Sequence, residues 1–339
     1  MTMAETKTGG ISAKPRSTQR SRTDRLKDHL RNEWRLYAML LPTVIWLVIF
    51  LYKPMYGLQI AFKDYSIFRG IAGSPWIGLE HFENLLGFDW SALGTEDPFW
   101  TGGNEQFLRA LRNTIYISMY SLLIGFPVPI LLALMFNEVL NQSFKRTAQT
   151  IVYLPHFISS VIIAGIVITT FSPSVGIVNT VLGWFGADPI YFLTRPEWFR
   201  PIFIGTTIWQ EAGFQSIVYL AAIAGVSPTL YESAVVDGAS RWQMMWKITI
   251  PSILPTIIIM LIIRIGNMLE VSFEMIIVLY QPATYETADV VNTFIYRQGL
   301  QSGQYDFAAA AGLFNAVVAF VLVMSANAIS KRYSRTSLW

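Results

Sequence analysis

The sequence predicts an all-α polytopic membrane protein with six transmembrane helices and both termini in the cytoplasm. Of its 339 residues, 53% are hydrophobic and 14% are charged, whereas about 25% of the residues of an average soluble domain are charged. The hydrophobic residues also occur in long runs with few charges, and a helix of about 20 such residues crosses a bilayer. The composition therefore excludes a soluble globular protein.

Six segments are long and apolar enough to be transmembrane helices. They are roughly residues 36–58, 113–137, 150–171, 201–226, 253–280 and 307–330. The first segment contains Lys53 and Pro54 near its end, which predicts a bent or interfacial outer end. No cleavage site of small residues follows it, so we interpret it as a retained span rather than a signal peptide.

The distribution of basic residues predicts the orientation, because Lys and Arg are enriched in cytoplasmic loops. Residues 1–35 contain nine basic residues, whereas residues 63–111 contain three basic and seven acidic residues. The first segment is therefore predicted to be a cytoplasmic arm, partly disordered, and 63–111 an outer loop. Alternation places 227–252 inside, together with a short tail at 331–339. The transmembrane domain between arm and tail covers 36–330.

The inner loop at 227–252 has the pattern of two helices joined by a turn. Ser227 and Pro228 are typical of a helix start, and Gly238 allows the tight turn that ends the short helix. A second, amphipathic stretch follows, with large apolar residues at helical spacing: Trp242, Met245 and Trp246. The loop is thus predicted to lie along the inner membrane face.

The same loop resembles the EAA loop of the permease subunits of ABC importers. The family pattern is Glu-Ala-Ala-x3-Gly-x9-Ile-x-Leu-Pro. This sequence has Glu232-Ser233-Ala234, Gly238 and Ile248-Thr249-Ile250-Pro251 at the same spacing. Ser233 and Ile250 are the two departures, and both are similar in size to the residues they replace.

The resemblance covers about residues 36–330. Residues 215–228 and the pair Asn113-Thr114 look like the carbohydrate branch of the family. Residues 52–64 are similar to permeases for complex oligosaccharides, including alginate- and pectin-fragment importers. The resemblance therefore implies a subunit that moves a carbohydrate, and specifically an oligosaccharide, across the bacterial cytoplasmic membrane.

The resemblance also implies that this loop couples the permease to ATP hydrolysis. Glu232 and Gly238 would form a coupling helix and its turn, seated in a cleft of a cytoplasmic ATPase subunit, and Asp237 would fix the turn or contact the ATPase. The implied coupling residues are Glu232, Ser233, Ala234, Asp237, Gly238, Ile248 and Pro251. The alternative is an amphipathic helix at the membrane surface in which the Glu and the Gly are incidental.

The partners implied by the resemblance are a second homologous permease, two ATPase subunits that bind ATP and magnesium, an extracytoplasmic solute-binding protein, the carbohydrate and membrane lipid. The chain itself has no Gly-Lys pair, so it lacks the Gly-x-x-x-x-Gly-Lys-Ser/Thr phosphate loop. It has no cysteine, and its three histidines are far apart in the sequence. We therefore expect a transport subunit with no catalytic residue, metal or cofactor of its own, and no nucleic-acid partner.

Charged residues within the predicted spans indicate a substrate pathway, because a charge inside a bilayer is costly. Glu211 lies in the fourth span. The fifth span contains four further polar residues: Arg264, Asn267, Glu270 and Glu274. At 100° per residue these four fall within about 120° on one helical face. Glu211 and Arg264 are predicted to meet near the bilayer centre, and Tyr219 is a candidate to stack on sugar rings. The alternative is a structural polar seam between helices.

Two other functional classes remain open from the residues alone. An ion-coupled secondary transporter would explain acidic residues within the spans, but it would not explain the loop at 227–252. A membrane-embedded enzyme would need acids, histidine or metal ligands gathered at one membrane face, whereas the acids of 63–111 are scattered. ATP hydrolysis that is stimulated by a binding protein would separate these classes from an ABC importer.

Overall fold

The computed structural model describes residues 33–89, 92 and 99–334. Most of the predicted basic arm and the end of the predicted tail therefore lie outside the described residues. The described part of the chain is built from helices and contains no β-strand beyond two isolated bridges. The chain forms two compact units, residues 1–58 and 59–339.

The described part of the first unit belongs to helix α1, Trp34–Phe62, which is 29 residues long and apolar enough to cross a membrane. The helix widens into one π turn at Val48–Tyr52 and ends as a 3-10 helix at Tyr56–Phe62. Pro54 lies between these two irregular turns and has no N–H to donate, so the regular hydrogen-bond ladder is interrupted there. The first predicted span is found, and its end is an irregular helix.

The second unit contains eleven labelled helices in its described residues. They are α2 (Glu105–Gly125), α3 (Pro127–Glu138), α4 (Gln142–Phe157), α5 (Ser160–Thr170), α6 (Ile177–Trp184), α7 (Pro196–Ala224), α8 (Pro228–Val236), α9 (Arg241–Gly266), α10 (Phe273–Leu279), α11 (Val291–Tyr296) and α12 (Tyr305–Ser334). Shorter helical turns lie at Gly70–Gly73, Glu80–Leu86, Phe192–Thr194, Pro282–Thr284, Tyr285–Ala288 and Arg297–Gln301.

Candidate membrane spans occur at all six predicted places, although two of them are bent. Among the described residues, α1, the continuous segment α2–α3, α9 and α12 are long and apolar enough to cross a membrane. Two helix pairs pass the same test only together: α4 with α5, bent by 102°, and α7 with α8, bent by 69°. The described part of the chain thus has four such helices, or six if each bent pair counts as one span.

The prediction of one continuous helix over 150–171 was wrong. The chain breaks between α4 and α5, where Ile158 and Ser159 are extended. Pro155 lies just before the break and cannot continue the helical ladder. The carbonyl of Ile158 is satisfied from outside its own helix, since the Gln210 side chain donates to it at 3.2 Å.

The prediction of one continuous helix over 253–280 was also wrong. Helix α9 ends at Gly266, and a short irregular segment leads to α10. A Cβ on Gly266 would lie 2.9 Å from the Val323 side chain, so α12 packs very closely at this point. The Ser118 hydroxyl donates to the carbonyl of Met268, which satisfies a backbone group that the helix has released. Asn267 follows the end of α9, so the single helical face predicted for Arg264, Asn267, Glu270 and Glu274 does not exist.

Three apolar clusters hold the second unit together. The first joins α2, α5, α7 and α10. The second joins α2, α11, α12 and the turn Glu80–Leu86. The third joins α3, α7 and α9. Close approach between helices accompanies these clusters: a Cβ on Gly213 of α7 would lie 2.1 Å from the backbone oxygen of Val152 in α4. Small residues permit such packing, which is the main attraction between helices in lipid.

Candidate functional site

The predicted turn after the short loop helix is present. Helix α8 begins at Pro228 and ends before Gly238, whose φ is +76°. The Gly238 N–H donates to the oxygen of Val235 at 3.0 Å, and the Ala239 N–H donates to the oxygen of Ala234 at 2.9 Å. These two bonds form a Schellman motif, in which a left-handed residue satisfies the last carbonyls of a helix.

The polar residues of α8 and its turn face outward. Glu232, Ser233 and Asp237 are exposed, as is Gly238. The Ser233 hydroxyl donates to the oxygen of Thr229 at 2.8 Å, so the serine that replaces alanine in the family pattern has its hydrogen-bonding group satisfied within its own helix. The exposed face of α8 is therefore available to a partner.

A side-chain contact joins α8 to the start of α9. The hydroxyls of Tyr231 and Thr249 lie 3.0 Å apart, and Thr249 is only 3% exposed. Nearby, Ile248 is half-buried and Pro251 is exposed. The contact supports α8 against the first turns of the long helix α9.

The helix α9 begins with features that the sequence analysis did not identify. Ser240 and Gln243 form a reciprocal capping box at its N-terminus. Arg241 pairs with Glu138 of α3 at 3.3 Å, and both side chains are exposed. Trp242 and Trp246 lie beside this pair and line an apolar groove of about 890 Å³ between α3 and α9.

A polar cavity of about 190 Å³ lies between α2, α7 and the segment that follows α9. Glu211, Arg264, Asn267 and Glu270 line it. The structure thus brings together four of the six predicted pathway residues. They meet because the helix breaks after Gly266 and the chain turns there, and not because they share one helical face. Glu274 is exposed in α10 and does not line this cavity.

Tyr219 lies in a different environment from the cavity. It is 2% exposed and packs in the third apolar cluster with Leu134, Ile223 and Ile253. It does not line the cavity, so the structure shows packing for this ring and no surface on which a sugar could stack.

Glu211 has a different partner from the one predicted. Its carboxylate accepts a hydrogen bond from Nδ1 of His156, with 3.0 Å between Nδ1 and Oε2. No nitrogen of Arg264 lies within 4.0 Å of it, so the direct Glu211–Arg264 pair is not formed although both side chains line the same cavity. His156 lies just before the break between α4 and α5, so tertiary folding brings it to Glu211.

Comparison with known proteins decides which family this architecture represents. Residues 125–336 match the family described as the inner membrane component of binding-protein-dependent transport systems. The chain belongs to this family. It is a membrane-embedded permease subunit of a binding-protein-dependent ABC transporter, as the resemblance of the loop at 227–252 implied.

Two proteins that resemble this permease are named as transporters of sugar polymers. It is 40% identical to the polygalacturonan/rhamnogalacturonan transport system permease protein YteP of Bacillus subtilis over 321 residues, which is 95% of each chain. It is similar to a chain in the crystal structure of a bacterial ABC transporter that imports the acidic polysaccharide alginate. The TM-score is 0.81 and the identity 57%, over 91% of this permease and 99% of that chain.

A second similar structure adds a partner. A chain of the bacterial alginate ABC transporter, solved in complex with a periplasmic protein that holds an alginate pentasaccharide, is 56% identical to this permease, with a TM-score of 0.81. The likeness covers 93% of this permease and the whole of that chain.

The permease also contains a buried ion-pair network that the sequence analysis missed. Asp289 is fully buried, and Arg297 binds it through two hydrogen bonds, Nη1–Oδ1 at 3.0 Å and Nη2–Oδ2 at 2.7 Å. The hydrogen bond to Asp289 raises the pKa of the Arg297 guanidinium above its ordinary value. Thr293 donates to the same carboxylate at 2.8 Å, so both carboxylate oxygens are occupied.

This network is tied to α2 and α7. The Asn113 amide donates to the backbone oxygens of Glu286 and Asp289 at 3.0 and 2.9 Å. It accepts a hydrogen bond from Arg200 at 2.9 Å, and the Thr114 hydroxyl accepts from the Val291 N–H at 3.0 Å. The pair Asn113-Thr114, which resembles the carbohydrate branch of the family, joins the loop after α10 to α2.

Proposed function

We propose that α8 is the coupling helix of this permease and sits in a cleft of a cytoplasmic ATPase subunit. The observation that supports the proposal is the exposed helix α8, ended by the left-handed Gly238 and tied to α9 by the contact between Tyr231 and Thr249. ATP and magnesium belong to the ATPase subunits. When the ATPase subunits close, they push α8, and α9 transmits the movement to the cavity that Arg264 lines.

The proposed orientation follows from this role. If α8 contacts a cytoplasmic ATPase, the basic arm before α1 and the end of α12 lie on the cytoplasmic side as well. This agrees with the distribution of Lys and Arg. The segment 63–111 then lies outside, where an extracytoplasmic binding protein delivers the substrate.

We propose further that the substrate is an acidic oligosaccharide. The polygalacturonan and alginate transporters among the relatives handle sugar acids, and the cavity here contains an arginine. A guanidinium suits a carboxylate because it offers parallel N–H donors. One chain supplies one coupling helix and one side of a substrate path. We therefore expect a second homologous permease to supply the other coupling helix and the other side of the path, and two ATPase subunits to bind on the cytoplasmic side.

The proposal is tested by reconstituting the chain in proteoliposomes with its ATPase, its binding protein and a second permease. We expect uptake of an oligogalacturonide to require all four components and to exceed uptake of its uncharged methyl ester at least tenfold. The required measurements are sugar uptake and ATP hydrolysis stimulated by the binding protein. Equal uptake of the ester would refute the acidic substrate. Full uptake without the second permease would refute the pairing of this chain with a second homologous permease.

The contact between α8 and α9 gives a second test. Tyr231→Phe removes one hydroxyl and keeps the ring, so the helix forms but loses its link to Thr249. A hydrogen bond of this kind contributes about 1 kcal/mol, and we expect roughly fivefold less sugar moved per ATP hydrolysed. The same substitution at the exposed Tyr191 is the control. An unchanged ratio of uptake to hydrolysis would contradict a transmitting role for this contact.

A further inference from the structure

His156 holds Glu211 in a defined position at the edge of the polar cavity. The two side chains are 3.0 Å apart, and the imidazole stacks on the Phe214 ring with 3.9 Å between centroids and 3° between planes. With the Glu211 carboxylate as acceptor, Nδ1 of His156 is the donor of this hydrogen bond. Glu211 is therefore directed toward α4 by a donor on a neighbouring helix.

Arg264 is the one basic side chain that lines this cavity among the described residues. No carboxylate oxygen of the described chain lies within 4.0 Å of its guanidinium. A charge within a membrane protein normally pairs with another group or faces water. Arg264 faces a cavity that Glu211 also lines, so Glu211 is an acid that could compete for it.

We propose that His156 determines the charge selectivity of this permease. By engaging Glu211, His156 keeps the Arg264 guanidinium available to a carboxylate of the passing sugar acid. Without His156, Glu211 turns to Arg264 across the shared cavity, and the pair excludes an anionic substrate. The inference rests on the proposed acidic substrate. His156 is thus a positioning residue that acts through Glu211, and Arg264 is the group that touches the sugar.

The shape of the site does not depend on His156 alone. The Gln210 amide also donates across the break, to the oxygen of Ile158 at 3.2 Å, and Gly213 packs directly against the backbone of Val152. A phenyl ring in place of the imidazole keeps the stacking on Phe214. His156→Phe therefore removes the donor to Glu211 while retaining these contacts between α4 and α7.

The cavity offers a matched control because it contains a second acid. Glu270 lines the same cavity as Glu211, but it is exposed and forms no ion pair within 4.0 Å in the described structure. If release of Glu211 is the cause of the defect, neutralising Glu211 corrects it and neutralising Glu270 does not. A general excess of negative charge would respond to both changes.

The experiment compares uptake of an oligogalacturonide by reconstituted complexes that contain His156→Phe, His156→Asn, His156→Phe/Glu211→Gln or His156→Phe/Glu270→Gln. The loss of a hydrogen bond to a charged group changes an equilibrium constant by about tenfold. We therefore expect His156→Phe to reduce uptake about tenfold at equal complex yield. The Asn amide replaces the Nδ1 donor, and we expect it to restore most of the activity. The Glu211→Gln double variant should recover at least half of the loss on a logarithmic scale, and the Glu270→Gln double variant should not.

Several outcomes would overturn this inference. His156→Phe with normal uptake, a Glu211→Gln double variant without recovery, or equal recovery by Glu270→Gln would each do so. A defect that merely reflects poor folding would lower the yield of the complex, and Glu211→Gln would not repair it. If the unmodified complex hydrolyses ATP but imports no anionic oligosaccharide, the proposed substrate is wrong, and that result is distinct from the outcomes above.

Discussion

Gly238→Val is expected to reduce transport at least tenfold while leaving the subunit in the membrane. Gly238 has a φ of +76°, and a left-handed backbone costs an L-residue about 1–2 kcal/mol, with the cost at its highest for β-branched side chains. A Cβ at this position would meet no atom within 4 Å, so the penalty comes from the backbone and not from a clash. The turn after α8 then opens, and in the proposed mechanism the ATPase would no longer move α9.

The control for this variant is Gly238→Asn. Asparagine tolerates the left-handed region far better than valine, and the site has space for its side chain. We expect uptake within about threefold of the unmodified complex for Asn, and a loss of at least tenfold for Val. Uptake and binding-protein-stimulated ATP hydrolysis are measured at equal complex yield. Normal coupled activity in Gly238→Val would show that the left-handed turn is dispensable.

Asp289→Asn is expected to give the largest loss of stability. The Asp289 side chain is 0% exposed and that of Arg297 is 18% exposed, so the substitution leaves a guanidinium that is largely buried without its counter-charge. Breaking a buried pair in this way costs about 3–5 kcal/mol in the free energy of unfolding. The lost pair lies at the point where the loop after α10 is joined to α2, because the Asn113 amide of α2 donates to the backbone oxygen of Asp289.

The matched control is the same substitution in an exposed pair. Arg69 and Asp64 are 3.1 Å apart, with side chains 49% and 60% exposed, and exposed pairs contribute about 0–1 kcal/mol. The midpoint of thermal unfolding of the solubilised complex should fall by at least about 5 °C for Asp289→Asn and by less than about 2 °C for Asp64→Asn. Equal shifts would mean that the Asp289 network carries no special share of the stability.

The short-range sequence pattern was sufficient to predict the helix α8 and the turn that follows it. The turn at Gly238, the start of α8 at Pro228 and the spacing to Pro251 depend on residues near one another in sequence, and backbone preferences determine them. The places of the apolar segments follow in the same way, because about 20 apolar residues specify a candidate span whatever packs against it. These features, together with the family, were predicted from the sequence.

The sequence predicted several residues that line the cavity but not the contacts that these residues make. A charged residue in an apolar run signals a pathway, so Glu211 and Arg264 were identified as candidates. Their partners were not, since a helical wheel assumes an unbroken helix. Helix α9 ends at Gly266, where α12 packs closely and Ser118 takes over a backbone oxygen. The periodicity of the sequence does not indicate that α9 ends at Gly266.

The sequence by itself determined the membrane class, the approximate places of the candidate spans and the left-handed turn after α8, because hydropathy and backbone preference are properties of short segments. Only the tertiary structure decided which charges meet. His156 reaches Glu211 across 55 residues, and Asn113 reaches the backbone of Asp289 across 176. Such contacts depend on where helices break and how closely they pack, and both are set by the whole fold.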